Sequence, residues 1–198
     1  MIDINNNTAV VFPGQGSQVI GMGADLYEKS SIAKDIFDEV DETLGRKLTD
    51  IVFSGSQEVL NKTENAQPAI TATSLACFSV FKDKFKDFTP SVTAGHSLGE
   101  YTSLSASNAL SVSDTIRLVS ERGRLMQIAC DKNPGGMVAI IGMEIDVVEE
   151  VCREAGAYPS NINSSQQVII SGDNDSLAIA VDLAKARGAK KAIKLSVG

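Results

Sequence analysis

The sequence contains very little histidine and no tryptophan. Its 198 residues include one histidine, His96, and three cysteines, Cys77, Cys130 and Cys152, which form no Cys-x-x-Cys pair. A zinc site needs about four such ligands, so no metal centre is expected. Widely spaced cysteines that are odd in number fit the reduced thiols of a cytosolic protein, and we therefore expect a cytoplasmic location.

Roles in membranes or on nucleic acid are also not expected. No run approaches the roughly 18–20 apolar residues of a membrane-spanning helix, and MIDINNNTAVVF lacks the basic region of a secretory signal peptide. The net charge of −7 opposes general binding to nucleic acid. The remaining composition, 43% apolar and 22% charged, is that of a globular protein of one domain or two small ones.

The first 130 residues predict a mixed α/β arrangement with few strands. TAVVF (8–12) and SVTA (91–94) have the length and apolar character of short buried strands. Apolar residues recur at helical spacing from Asp25 to Leu44, which predicts one helix there.

Three more helices are predicted in this part of the chain. Pro68 suits the first turn of a helix, and the nearly apolar segment after it indicates that this helix is buried. EYTSLSASNAL predicts a helix after the second strand. Either Ser111 or Ser113 is predicted to cap the helix DTIRLVSERGRLMQIAC.

The pattern changes at DKNPGG (131–136). Strand and helix signals then follow in the order βαββαβ, which is the split-βαβ, ferredoxin-like arrangement. We therefore predict an α/β fold with a large domain over residues 1–130 and an inserted ferredoxin-like small domain over residues 131–198. Two strands are too little to cover a buried helix, so the large domain is expected to be only a first part.

The stretch AGHSLGE places Ser97 between a predicted strand and a predicted helix. G-x-S-x-G at such a junction is the nucleophile elbow, whose sharp turn needs small neighbours and exposes the serine Oγ. The N–H of Leu98 at the helix N-terminus can donate to an oxyanion. A Gly/Ser-rich turn that merely caps a helix stays open as the alternative.

His96 is not expected to be the base for this serine. Adjacent residues at a strand end point to opposite sides, so the His96 ring is expected to face away from the Ser97 hydroxyl, partly buried and hydrogen-bonded beneath the turn. No histidine follows Ser97. On the logic of a catalytic triad, the chain as given lacks its general base.

Four ordered motifs, VFPGQGSQ, NKTENAQPAI, AGHSLGEYTSL and ERGRLMQ, resemble those of the malonyl-CoA:acyl carrier protein transacylases. The resemblance covers essentially the whole chain and corresponds to the first two-thirds of such an enzyme. It implies an α/β-hydrolase-like large domain with a ferredoxin-like insertion. It also implies transfer of malonyl from coenzyme A to the phosphopantetheine thiol of acyl carrier protein, in fatty-acid or polyketide synthesis, with no permanently bound cofactor.

The same resemblance implies roles for individual residues. Ser97 becomes the nucleophile that carries malonyl as an ester, and Gln15 with the Leu98 N–H forms the oxyanion hole. Arg122 holds the malonyl carboxylate, because a planar bidentate fork selects a carboxylate-bearing acyl group over acetyl. Further positions at the pocket are Gln67, Asn163 and Met126. Without the resemblance, Gln15 could simply cap a turn and Arg122 could be a solvated surface charge.

The resemblance also bears on the base. In that family it is a histidine in a Pro-Phe-His-type segment just after the last strand of the small domain, and this sequence ends at Gly198, before that point. Two alternatives therefore stay open. One is a catalytically incomplete fragment that only binds acyl-CoA or carrier protein. The other is a serine esterase, which gives no reason for an arginine in the pocket.

A basic span near the C-terminus is predicted to dock the carrier protein. AKARGAKKAIK (184–194) contains Lys185, Arg187, Lys190, Lys191 and Lys194. Acyl carrier proteins are acidic, so such a patch would steer one toward the enzyme. The alternative is a solvated helix end, where lysines are favoured by the helix dipole.

Overall fold

The structure, a computed structural model, describes residues 8–195. The chain divides into two compact units between Gln127 and Ile128. The sheet of the first unit is parallel and that of the second is antiparallel. No helix within residues 8–195 is long and apolar enough to cross a membrane.

The first unit combines a parallel pair of strands with helices. Strand β1 (Ala9–Phe12) pairs with β2 (Val92–Gly95), with Phe12 opposite Gly95 at their carboxyl ends. Both strands therefore end at the same edge, where the loop after β1 lies beside the turn after β2. The helices are α1 (Ala24–Lys29), α2 (Ser31–Leu44), α3 (Leu48–Ser54), α4 (Gln57–Asn61), α5 (Thr63–Lys84), α6 (Gly99–Ala106) and, up to Gln127, α7 (Val112–Lys132).

Helix α5 is the main buried element of the first unit, as the sequence predicts. All its residues from Thr63 to Ala72 are buried except Glu64, and it packs against α2 and α6. Phe37 of α2 is 1% exposed and makes edge-on ring contacts with Tyr27 and Phe53. Burial of one such ring contributes about 1.5–3 kcal/mol.

The single helix predicted from Asp25 to Leu44 is wrong, because the structure has two helices separated at Ser30. The backbone of Ser30 is extended (φ −134°, ψ 119°), and its Oγ accepts a hydrogen bond from the Ala33 N–H at 3.4 Å. Serine is a favoured residue at this cap position. The apolar spacing continues across the break, so the period alone conceals it.

The prediction that Pro68 lies in a first turn is also wrong. Helix α5 begins at Thr63, which puts Pro68 in the second turn. Proline has no N–H for the carbonyl four residues earlier, that of Glu64. This carbonyl accepts a hydrogen bond from Arg46 Nη2 at 3.4 Å, and the external donor offsets the missing one.

Ser111 is the cap of α7. Its Oγ accepts a hydrogen bond from the Asp114 N–H at 3.0 Å, whereas the Ser113 hydroxyl donates to Glu39 Oε1 at 2.7 Å. The sequence left both serines open, and the structure decides between them through a contact with another helix.

The second unit has the predicted element order βαββαβ. Its elements are β3 (Gly136–Ile141), α8 (Ile145–Ala155), β4 (Tyr158–Ser164), β5 (Gln167–Gly172), α9 (Asn174–Ala186) and β6 (Lys191–Lys194). The strand order across the sheet is β4-β5-β3-β6, with every neighbouring pair antiparallel. Alternate residues such as Val138, Ile140 and Ile170 share one apolar core with α8 and α9. The unit therefore has a core of its own.

Candidate active site

Ser97 lies in the turn between β2 and α6. Its φ of 53° is in the left-handed region, which residues other than glycine rarely adopt. A Cβ at Gly95 would lie 1.9 Å from the Gly99 carbonyl carbon, and a Cβ at Gly99 would lie 2.3 Å from the Phe12 carbonyl oxygen. Both glycines are required by close backbone approach, and the strained turn has the geometry of a nucleophile elbow.

Helix α6 begins directly after this serine. Leu98 is helical (φ −57°, ψ −39°) and occupies the N-cap position without a side-chain cap. Its side chain is fully buried in the core, which fixes the start of the helix. Among residues 8–195, no group accepts a hydrogen bond from the Leu98 N–H. The N–H groups at this end, with the positive end of the helix dipole, favour a negatively charged oxygen.

The Ser97 hydroxyl is bonded to an arginine. Arg122 of α7 donates from Nη2 to Ser97 Oγ at 2.9 Å and from Nη1 to Gln67 Oε1 at 2.8 Å. The guanidinium also lies over the Tyr101 ring, 5.7 Å from its centroid. Arg122 is half-buried, so it is not a solvated surface charge. A guanidinium has N–H donors and no acceptor, so Arg122 donates to the serine oxygen and does not act as its base.

Gln67 connects this arginine to the loop after β1. Its fully buried amide donates from Nε2 toward Gln15 Oε1 at 3.4 Å and toward Met126 Sδ at 3.1 Å. Gln15 in turn donates from Nε2 to Thr63 Oγ1 at 3.2 Å. Both ends of the Gln15 amide are therefore bonded to α5, and this side chain does not cap a turn.

The structure thus joins the residues predicted in the first unit through hydrogen bonds into one group, with Leu98 adjacent to it. They come from the loop after β1, from α5, from the turn after β2 and from α7. The group combines a hydroxyl on a strained turn, N–H groups at a helix N-terminus and a guanidinium with unused donors. Such a group can bind an acyl compound that carries a carboxylate and can take its acyl carbon onto the hydroxyl.

Two residues of this site were not singled out from the sequence. A Cβ at Gly123 would lie 2.7 Å from the Thr63 carbonyl oxygen, so α7 can approach α5 this closely only at a glycine. The Thr63 N–H donates to Gln127 Oε1 at 3.2 Å across the same contact. A glycine inside a predicted helix is a signal for such packing, and it stands next to Arg122 in ERGRLMQ.

The predicted environment of His96 is partly wrong. Among residues 8–195 its ring makes no hydrogen bond with Ser97, in agreement with the expectation that it is not the base. However, His96 is exposed and not partly buried. The ring lies against Gly14, where a Cβ would be 2.7 Å from Nδ1, and a glycine offers no side chain to cover it.

The cysteines form no site with these residues. Burial raises the pKa of the Cys152 thiol above the ordinary value, which keeps this thiol protonated and weakly nucleophilic. Within residues 8–195, no group of three or more His, Cys, Asp or Glu side chains could hold a metal ion.

The other predicted residues belong to the second unit. Asn163 lies on β4 and donates from Nδ2 to Gln167 Oε1 at 3.1 Å. Arg187 is ion-paired with Glu154 at 2.6 Å and with Glu150 at 3.9 Å, and its hydrogen bond holds the Glu154 pKa below the ordinary value. Of the five basic residues in the predicted span, Lys185, Lys190, Lys191 and Lys194 are exposed and form no ion pair within residues 8–195.

Residues 9–198 match the family described as "Acyl transferase domain". The chain belongs to this acyl transferase family. It is 46% identical over 194 residues to the malonyl CoA-acyl carrier protein transacylase of Bacillus subtilis. This match covers 96% of this chain and 61% of that protein. The family resemblance predicted from the four motifs is therefore confirmed.

Solved structures of acyl transferases are similar to this one. A malonyl-transacylase in complex with its type II PKS acyl-carrier protein has a TM-score of 0.90 at 41% identity, over 96% of this chain and 63% of that one. The malonyl CoA-acyl carrier protein transacylase of Coxiella burnetii has a TM-score of 0.91 at 37% identity, over 98% and 62%. This acyl transferase chain thus spans less than two-thirds of the length of these relatives.

Replacement of Gly99 by alanine tests the close approach at the elbow. Because the new Cβ would clash with the Phe12 carbonyl, we expect Gly99→Ala to lower the free energy of unfolding by about 3 kcal/mol. The control is Gly136→Ala, where the nearest atom to a Cβ is 3.6 Å away, and it should cost less than about 1 kcal/mol. Urea denaturation of both variants measures the difference, and equal stability would contradict the assigned packing.

Proposed function

We propose that this acyl transferase chain binds malonyl-CoA and forms a malonyl ester on Ser97. The protein then transfers the malonyl group to the phosphopantetheine thiol of an acyl carrier protein. The contact of 2.9 Å between Arg122 Nη2 and Ser97 Oγ carries this proposal. In a malonyl thioester one methylene separates the carboxylate from the thioester carbonyl, so a single acyl group can reach the guanidinium and the hydroxyl together.

Arg122 is suited to select the carboxylate. A guanidinium has five N–H donors in a planar fork that matches a carboxylate in bidentate geometry. The bond from Nη1 to the buried Gln67 holds this plane in one orientation. A carboxylate that binds the guanidinium beside the Gln67 contact takes the Nη2 donor from Ser97 Oγ. Oγ is then free to attack the thioester carbon.

The chemical steps follow from these positions. Ser97 Oγ attacks the thioester carbonyl, the C–O bond forms, the C–S bond breaks, and the coenzyme A thiol leaves with the proton that Oγ gave up. In the second half, the phosphopantetheine thiol attacks the ester carbonyl, the C–S bond forms, the C–O bond to Ser97 breaks, and the thiol proton returns to Oγ. None of residues 8–195 is assigned as the base for these proton transfers, because the group hydrogen-bonded to Ser97 Oγ is a guanidinium.

The oxyanion of each half-reaction needs two N–H donors. We assign these to the main-chain N–H groups of Leu98 and Gln15. The Leu98 N–H lies at the start of α6. The side-chain amide of Gln15 is engaged with Thr63 and Gln67, which leaves its main-chain N–H as the available donor.

We also propose the finer fold that the resemblance implies. Residues 1–130 would belong to an α/β-hydrolase-like domain and residues 131–198 to a ferredoxin-like one. The antiparallel order β4-β5-β3-β6 supports the second assignment. In the described part of the first unit, β1 has a strand neighbour on one edge only, and its Val11 is 72% exposed beside an apolar groove of about 610 Å³. This groove fits a further strand of such a sheet.

The carrier protein is proposed to dock on the second unit. Lys191 and Lys194 are exposed on β6, while the charge of Arg187 is already balanced by Glu154. We therefore propose the four unpaired lysines as the docking patch and leave Arg187 out of it.

Asn163 is proposed as a contact to the bound acyl-CoA. A cytoplasmic location, where coenzyme A thioesters are made, fits this function.

Incubation of the chain with malonyl-CoA tests the first half-reaction. We expect intact-mass measurement to show one malonyl adduct, lost in Ser97→Ala and kept in Ser107→Ala, a matched change at an exposed serine. A folded chain that forms no adduct but still binds malonyl-CoA would instead support the alternative of a binding-only chain.

Replacement of Arg122 tests the acyl transferase against the alternative of a serine esterase, which gives no reason for an arginine in the pocket. Each charge-assisted hydrogen bond contributes about 1.5–3 kcal/mol, so Arg122→Ala should slow acylation by malonyl-CoA about 100-fold or more. Acylation by acetyl-CoA should not fall, because acetyl has no carboxylate. The control is Arg124→Ala, which removes an exposed arginine paired with Glu121 on the same helix. Equal loss with both thioesters would count against the carboxylate contact.

Charge reversal on β6 tests the docking patch. With carrier protein as acceptor, Lys191→Glu with Lys194→Glu should raise the apparent KM for the carrier about tenfold at low salt and leave kcat within about twofold. The effect should fade at high salt, where surface charges are screened. Lys29→Glu with Lys86→Glu makes the same net change at exposed lysines of the first unit. The patch is wrong if both pairs behave alike.

A further inference from the structure

We propose that Gln18, Gln57 and Asn61 form an amide clamp that positions the oxyanion loop, defined as residues 13–20. This inference rests on the proposed function in one respect, that the main-chain N–H of Gln15 is an oxyanion donor. Gln18 belongs to the motif GQGSQ and Asn61 to NKTEN, and Gln57 lies one turn before Asn61 on α4. The proposed chemistry gives these three residues no role.

The oxyanion loop needs an external restraint. Gln15 stands between two glycines, and Gly16 has a φ of 106° with open space where a Cβ would lie. Glycine has more backbone freedom than any other residue. An oxyanion donor acts only within about 2.7–3.1 Å of the oxygen, so a freely moving N–H would contribute little.

The first link of the clamp sets the peptide plane next to Gln15. The Gly16 N–H donates to Gln18 Oε1 at 2.8 Å, and this N–H shares its peptide plane with the Gln15 carbonyl. Gln18 is only 8% exposed. Its Nε2 donates to Asn61 Oδ1 at 3.0 Å, which determines that the oxygen end of the Gln18 amide faces Gly16.

The second link ties the far end of the loop to the same helix. Asn61 Oδ1 also accepts from Gln57 Nε2 at 2.8 Å, and Gln57 Oε1 accepts from the Ile20 N–H at 3.3 Å. Gln57 Nε2 lies in addition 3.3 Å from the Gln18 carbonyl oxygen. Gln57 and Asn61 are one turn apart on α4, so one short helix restrains the loop at Gly16, Gln18 and Ile20.

The clamp acts through the loop and not on the acyl group. Its hydrogen bonds join the clamp residues to the loop and to one another, while the hydrogen bonds of Arg122 run to Gln67 and Ser97. Loss of the clamp should therefore lower the rate of the chemical step and leave carboxylate binding unchanged. Gln18, Gln57 and Asn61 are positioning residues in this sense.

Asn61 gives the sharpest test, because its Oδ1 accepts both central hydrogen bonds. Asn61→Leu removes the acceptor, whereas Asn61→Asp keeps an oxygen for both donors. At saturating malonyl-CoA we expect the rate constant of Ser97 acylation to fall about 10- to 100-fold in Asn61→Leu. The half-saturating concentration should change less than about twofold, and Asn61→Asp should stay within about threefold of the unchanged chain. The matched control Glu58→Leu, an exposed position on the same helix, should have no effect.

Amide hydrogen exchange of the Gly16 N–H gives a second reading that needs no activity. We expect exchange to be about tenfold faster in Asn61→Leu and unchanged in Asn61→Asp and Glu58→Leu. If the unchanged chain forms no ester with malonyl-CoA, the proposed function fails and Gly16 exchange alone decides on the clamp. Should Asn61→Leu not fold, Gln57→Leu replaces it, with Ile20 exchange as the reading.

Three results would overturn the clamp. The first is acylation by Asn61→Leu at the unchanged rate. The second is an equal loss of rate in Asn61→Leu and Asn61→Asp, and the third is fast Gly16 exchange in the unchanged chain. A rise in the half-saturating concentration without a fall in the rate constant would also reject positioning, because it would assign Asn61 to binding.

Discussion

The site depends on the buried side-chain amide of Gln67. One end of this amide accepts a hydrogen bond from Arg122, and the other end donates toward Gln15 and Met126. A buried amide that loses a partner costs about 1–3 kcal/mol, so each of these partners is held in place by the cost of leaving Gln67 unpaired. Two segments distant in sequence, the loop after β1 and α7, are thereby kept within hydrogen-bond reach of α5.

Close backbone contacts at glycines bring these segments near enough to form the hydrogen bonds. Gly95 lies directly against Gly99 within the turn after β2, Gly99 touches the end of β1, and α7 touches the start of α5 at Gly123. At these contacts even one methyl group would collide with main-chain atoms that cannot move independently. The glycines therefore set the distances, and the polar side chains set the orientation within those distances.

Motifs with a local cause could be predicted well from the sequence. The elbow at Ser97, the buried helix α5 and the βαββαβ order of the second unit all follow from spacing and from residue type. Two of the errors occurred at residues with contacts distant in sequence. Pro68 lies in a second turn, where Arg46 donates to the Glu64 carbonyl in place of the missing proline N–H. His96 is exposed, and its ring lies against Gly14 of the loop after β1.

The partners within the site could not be predicted in the same way. Ser97 and Arg122 are separated by 25 positions, and Gln15 and Gln67 by 52. No local pattern states which of several polar side chains will meet across such distances. The resemblance to a family named the residues of the candidate site, but it did not name Gln18, Gln57 or Asn61, whose hydrogen bonds emerge only when α4 packs beside the loop.

The sequence by itself determined the α/β class, most helices and strands, the elbow and the family, because these are encoded by periodicity, by glycine placement and by short motifs. Only the tertiary structure decided that the hydroxyl of Ser97 meets a guanidinium, that Gln67 is fully buried between its partners, and that α4 is hydrogen-bonded to the loop after β1. The physical reason is that hydrogen bonds between distant segments form only after the core has packed. Their geometry is a property of the packed chain and not of any segment.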